Sequence, residues 1–171
     1  SGHVRVYEYV GNAWKQVGND IDGEAAGDES GCSVSLSGDG TRVAIGAMFN
    51  DGLNVGGVRA YGHVRVYEYK QFTENDTHSY NYENTIQKGT SPPIIVTGDN
   101  NPTPIVGQSY WTQLGADIVG EDFNDNSGCS VSLSSNGKRV AVGACYNDGN
   151  GKDSGHVRVY EYVGNAWKQV G

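Results

Sequence analysis

Hydrophobic and polar residues alternate in short runs along this chain. In Ser33-Val34-Ser35-Leu36-Ser37 the valine and leucine fall on one face and the serines on the other. Arg42-Val43-Ala44-Ile45-Gly46-Ala47 puts Val43 and Ile45 on one face and the small Ala44 and Gly46 on the opposite one, which lets a second sheet approach closely. His63-Val64-Arg65-Val66-Tyr67-Glu68-Tyr69 separates valines from His, Arg and Tyr, amphipathic side chains that suit a partly covered outer position. Gly38-Asp39-Gly40, Ser135-Asn136-Gly137, Gly11-Asn12 and Gly164-Asn165 lie between such runs, and Asp, Asn and Gly reach positive φ at little cost. No stretch sustains a helical period. The pattern predicts an all-β chain of four-stranded antiparallel units.

The runs recur. SGHVRVYEYVGNAWKQVG occupies 1–18 and returns unchanged at 154–171, and its core GHVRVYEY stands again at 62–69. Aligned on Trp14, Trp111 and Trp167, the chain divides into the end of a preceding blade (1–13), a first repeat (14–69), a non-repeated insertion (70–110), a second repeat (111–162) and the start of a further one (163–171). Glu24, Asp28, Ser30, Gly31, Cys32, Gly46 and Asn50-Asp51 are matched by Glu121, Asp125, Ser127, Gly128, Cys129, Gly143 and Asn147-Asp148. In each repeat the Val/Leu/Ile face is expected to pack blade against blade: Val34, Leu36, Val43 and Ile45 in the first, Val131, Leu133, Val140 and Val142 in the second.

The pattern SG-x-SVSLS-x-(D/N)G-x-RVA-(I/V)-GA…GHVRVYEY resembles the FG-GAP, or integrin-alpha-like, propeller repeat, in the form found in tandem in large secreted or surface proteins of algae and other protists. The resemblance implies a β-propeller with four strands per blade. Blades of that family often carry a D-x-D-x-D-G calcium loop. The matching hairpins here, Ser37-Gly38-Asp39-Gly40 and Ser134-Ser135-Asn136-Gly137, depart from it. A closed propeller needs roughly four to eight blades. Two repeats with flanking pieces therefore leave three arrangements: a ring completed by further sequence, a ring completed by identical chains, or an open stack whose repetition makes a filament.

Charge narrows the partners. The formal net charge is −8 and the pI about 4.8, which argues against nucleic acid and anionic membranes. Neighbouring repeats, identical chains, or extracellular carbohydrate or protein remain as partners.

The insertion replaces a tight turn by a long, proline-punctuated loop, and loops of that kind commonly carry function. Asn75-Asp76-Thr77 is a glycosylation sequon within it. Glu74, Asp76 and His78 alternate, so an extended segment would put them on one face, as metal ligands or simply as a solvated acidic loop. Cys129 and Cys145 flank one hairpin, opposite each other if its loop has three residues, and so form a candidate disulfide. The other reading makes all three cysteines small packed residues.

Catalytic signals are lacking. His3, His63 and His156 repeat and read as scaffold, and the serines beside Cys32 and Cys129 lie in strands rather than on a nucleophile elbow. No cofactor is required by any motif. The oxygen-rich corner Glu121, Asp122, Asn124, Asp125 and Asn126 is the better of two candidate calcium loops, the other containing Glu24 and Asp28. Asx turns and backbone capping account for the same residues more simply. The expectation is a structural or adhesive extracellular repeat protein assembling through blade-to-blade contacts, with a binding propeller as the alternative.

Overall fold

The computed structural model describes residues 1–50, 61–71 and 107–171. Within them every regular element is a strand. β1 (His3–Val4) pairs with β4 (Ile21–Asp22), and β2 (Tyr7–Val10) with β3 (Ala13–Gln16). β5 (Ser33–Leu36), β6 (Arg42–Ala47), β7 (His63–Gln71) and β8 (Ser109–Gln113) form one antiparallel sheet in chain order, and β9 (Ile118–Val119) pairs with the start of β7. β10 (Ser127–Leu133), β11 (Arg139–Ala144), β12 (His156–Val163) and β13 (Ala166–Val170) form the next.

The hairpins follow from turn chemistry. Gly11 and Asn12 both adopt the left-handed region, at φ 60° and 63°, as the twist of a two-residue hairpin requires, and Gly164-Asn165 repeats those angles. The hairpin sets Tyr9 opposite Trp14 and Tyr162 opposite Trp167, and β7–β8 sets Tyr69 opposite Trp111 in the same way. These ring pairs lie 5.3, 5.2 and 5.3 Å apart. Each tryptophan strand is therefore the last strand of its sheet, bonded to the GHVRVYEY strand before it. The Trp-to-Trp units of the sequence, 14–69 and 111–162, are phased one strand away from the hydrogen-bonded sheets.

Register sorts the side chains of β5–β8 onto two faces. Val34 opposes Ile45 and Leu36 opposes Val43, on the face that also carries Arg65 and Tyr67. Ser33, Ser35, Ala44, Gly46, Val64 and Val66 lie on the other. That second face packs on the next sheet: Ala44, Val64 and Val66 are buried with Ile118, Leu133, Val140 and Val142. The first face packs on residues 1–22, where Ile21, Val43, Ile45 and Trp111 are buried with Val4, Val6 and Val17 around them.

Two expectations change. Val34 and Leu36 do not share in the packing: they are 53% and 47% exposed, whereas Leu133, at the matching place in the second sheet, is 8% exposed. Residues 1–17 cover the β6, β7 and β8 part of the first face and leave β5 bare. His63, placed by its pattern at a partly covered outer position, is buried. The sequon at Asn75 and the Glu74, Asp76 and His78 set lie outside the described residues.

Candidate stacking interface and its corner clusters

The contact between the two full sheets depends on glycine. A Cβ on Gly46 would stand 2.1 Å from the carbonyl oxygen of Gly128, so only a bare Cα lets β6 reach the backbone of β10. Gly128 itself, at φ 88°, opens the bulge that shifts the register between Ser127 and Ser130. Polar bonds fix how the sheets lie. Ser33 Oγ donates to the Gly128 carbonyl at 2.7 Å, and the Leu133 N–H donates to Ser35 Oγ at 2.8 Å. The Gly38 N–H reaches the Ser135 carbonyl at 2.8 Å, and Arg42 Nη1 the Gly137 carbonyl at 3.1 Å. Each of these groups keeps a partner where the sheets meet.

At one end of each sheet the chain turns a corner into the next, and a charged cluster forms there. Arg65 donates to both oxygens of Asp117 at 2.8 and 2.7 Å and also pairs with Glu24. His63 Nδ1 lies 3.7 Å from Asp117 Oδ2. The motif recurs: Arg5 holds Asp20 in a forked contact of 2.6 to 2.9 Å, and Arg158 holds Glu121. Burial alone would raise the pKa of Asp117, but the bonds and charge of Arg65 outweigh it and hold the carboxyl below the usual range. Burial, then the positive charge of Arg65, pushes His63 down and keeps its ring neutral. On Asp20 the Arg5 hydrogen bond, helped by Gln16, brings the pKa to about 2.

Glu24, His63 and Asp117 are the one set among the described residues whose donor atoms gather closely enough for a metal ion. The Arg65 guanidinium already sits among them, so the cation that these carboxylates need is supplied by the chain. The sequence-predicted calcium corner is not brought together in this way. Glu121 is engaged by Arg158, and Asp125 is buried and accepts from Asn147 Nδ2 at 2.6 Å. Asp122 caps the adjacent N–H of Phe123, while Asn124 and Asn126 take positive φ at 66° and 54°. Asp28 does for the first corner what Asp125 does for the second, accepting from Asn50 and from the Ala25 N–H. These loops use their oxygens to hold backbone and neighbouring side chains. The Asp–Asn partnership and the role of Arg65 were missed from the sequence, although the recurrence of Asn50 and Asn147 beside the recurring aspartates was the available signal.

The three cysteines are free thiols. Cys129 sits in the bulge and contacts the Gly143 carbonyl at 3.5 Å, and Cys145 follows β11 directly. Burial, then its hydrogen bond with Cys129, pushes the Cys145 thiol up to about 11. The pair predicted from the hairpin is thus adjacent but unbonded. The recess beside His156, Arg158 and Tyr160 has a volume of about 10 Å³, room for little more than one water.

Residues 119–160, which run from β9 into β12, match the FG-GAP repeat family. No curated protein matches the chain. The first sheet repeats the matched segment strand for strand, so the fold is all-β, with four-stranded antiparallel repeats of the β-propeller type. Among the described residues no helix is long and apolar enough to cross a membrane.

Proposed function

From the premise that the chain carries an FG-GAP repeat, we propose that it is a non-enzymatic extracellular structural or adhesive protein whose product is the stack of sheets itself. One observation carries this reading: the second face of the β5–β8 sheet is buried on the β10–β13 sheet through residues that recur in every repeat. Val64 and Val66, at 0% and 1% exposure, are the centre of that contact. Residues repeated in each unit are spent on packing and corner ion pairs, and none is reserved for a single reactive centre. Asn75 would carry a glycan in the secreted protein. Calcium, if bound, would act at the corner of Glu121, Asp122, Asn124, Asp125 and Asn126 as a brace rather than a catalyst.

A second reading rests on the insertion. β7 and β8 stay paired to Gln71↔Ser109, so residues 72–108 leave and re-enter at one sheet end where other repeats make a two-residue turn. That placement suits a loop that recognises carbohydrate or protein. Electron microscopy of the protein, with and without a calcium chelator, distinguishes the two. Long regular fibres are expected. Compact discs that capture glycans through the insertion would replace the structural reading with the binding one.

A further inference from the structure

The two cysteines that flank the β10–β11 hairpin are brought together by a pair of tight turns at one corner. Asn126 to Cys129 form the first, closed by the Cys129 N–H on the Asn126 carbonyl at 3.0 Å. Ala144 to Asn147 form the second, closed by the Asn147 N–H on the Ala144 carbonyl at 3.3 Å. Between them Ser127 pairs with Ala144 at the end of the ladder. Two further bonds tie the second turn to Asp125, the residue before the first. The Tyr146 N–H donates to its carbonyl at 3.2 Å, and Asn147 Nδ2 to its carboxylate at 2.6 Å. The bulge turns the Cys129 thiol onto β11, 3.5 Å from the Gly143 carbonyl, and there it shares a hydrogen bond with the Cys145 thiol.

The first repeat builds the same two turns around different chemistry. The Cys32 N–H closes one on the Glu29 carbonyl at 3.0 Å, the Asn50 N–H closes the other on the Ala47 carbonyl at 3.1 Å, and Asn50 Nδ2 reaches Asp28 at 3.1 Å. Cys32 stands where Cys129 stands, but the place of Cys145 is taken by Met48, a thioether that has no S–H to give up. The corner is scaffold common to both repeats, and the second thiol is what the second repeat adds. From this we propose that Cys129 and Cys145 are a disulfide site, joined in an oxidising compartment by exchange with a low-molecular-weight disulfide of the glutathione class.

The exchange balances in two steps. One thiolate of the pair attacks a sulfur of the small disulfide, forming a mixed disulfide and releasing one small thiol. The other thiolate attacks the protein sulfur of that intermediate, forming the Cys129–Cys145 bond and expelling the second small thiol. The pair gives up two electrons and two protons, and the small disulfide leaves as two thiols. Fixed turns favour the second step, because the attacking sulfur is already placed.

The bond clamps the bulge of β10 to the turn after β11. That bulge carries the Gly128 carbonyl, which accepts from Ser33 Oγ at 2.7 Å and lies 3.7 Å from Cys32 Sγ, both on the neighbouring sheet. Oxidation therefore braces the contact between the sheets along with the hairpin itself. Cys32 is the competing thiol, and its sulfur is directed at the carbonyls of Gly46 and Gly128 instead.

The site stands apart from the structural reading above, since neither fibres nor discs bear on it. The test is to incubate the purified chain with oxidised glutathione at about pH 8.5, where thiolate is available, and to map its peptides without reduction. One internal link, Cys129 to Cys145, is expected, with Cys32 free or carrying a single glutathione. The linked chain should unfold roughly 5 °C above the reduced one. Cys145→Ser should lose both the link and the shift, and Cys32→Ser should keep both. Met48→Cys, which gives the first corner its missing thiol, should gain a second internal link to Cys32. Thiols that stay free, separate glutathione adducts on Cys129 and Cys145, or a link from either to Cys32 would overturn the site, and the wild-type map alone decides this without any variant having to fold. A link with no rise in unfolding temperature would overturn the brace, and a folded Met48→Cys that forms no second link would overturn the role of the turns.

Discussion

The indole N–H of Trp111 donates to the carbonyl of Val17 at 2.8 Å, across the boundary between two sheets. Trp167 repeats the bond to Leu114, also at 2.8 Å. The last strand of each sheet is thereby pinned to the end of the last strand before it, and Val17 and Leu114 are the residues from which the chain turns into the next repeat.

Trp111→Phe should separate the bond from the packing. It keeps a large ring over Ile21 and Val43 but leaves a carbonyl unpaired, at a cost of about 1–2 kcal/mol, seen as a lower midpoint in chemical unfolding. Trp111→Ala should cost about 3–5 kcal/mol. Trp14→Phe should change little, because Trp14 is largely exposed.

Gly46 and Gly143 occupy matching positions in β6 and β11 and should respond differently to alanine. At Gly46 the new methyl meets the Gly128 carbonyl backbone, which cannot swing away. At Gly143 the closest atom is the Ser130 hydroxyl, the end of a side chain that can rotate. Gly46→Ala should cost about 1–3 kcal/mol and Gly143→Ala clearly less, by thermal unfolding of the two variants. Equal losses would show that close approach between the sheets is not what the glycine at position 46 serves.

How far the sequence reached can be judged residue by residue. The small face of β6 was legible because Ala44 and Gly46 alternate with large residues, a local signal. The exposure of Val34 was not, because Val34 and Val131 sit in the same pattern and differ only in what packs across from them. Arg65 escaped notice for the same reason. Its partners Glu24 and Asp117 come from two corners far apart in the chain, and only the turn of one sheet into the next brings them together. The repeats counted from the tryptophans are offset by one strand from the hydrogen-bonded sheets, since a repeat can be counted from any strand while hydrogen bonds fix just one grouping.

Asn147→Ala should destabilise the corner by about 1–3 kcal/mol, since it leaves the buried carboxylate of Asp125 without its side-chain donor. With Glu121 and Asp125 engaged inside the chain, a chelator should leave the unfolding temperature of the wild-type protein unchanged. A rise of several degrees on adding calcium would instead assign the corner to the ion.

The ion cluster around Arg65 predicts a direction for acid sensitivity. Asp117 has a depressed pKa in the fold, so it contributes stability above its unfolded value near 3.9, and that contribution is lost as pH falls through the lower folded value. His63 has a depressed pKa too. The unfolded chain takes up a proton near pH 6.5 that the buried ring refuses, so stability is also lost as pH drops below that point. Wild-type stability should therefore decline in two stages, first below about pH 6.5 and again below about pH 4. Arg65→Gln removes the charge that repels a proton from His63 and the donor that keeps Asp117 ionised. The variant should be roughly 2 kcal/mol less stable at pH 7, between the values for exposed and buried pairs. Its decline toward acid should be shallower in both stages, because Asp117 loses the bonds that held its pKa down and His63 keeps only the part of its depression that burial causes. Parallel curves for wild type and variant, measured by chemical unfolding from pH 3 to pH 8, would mean that Arg65 supports the corner by packing alone.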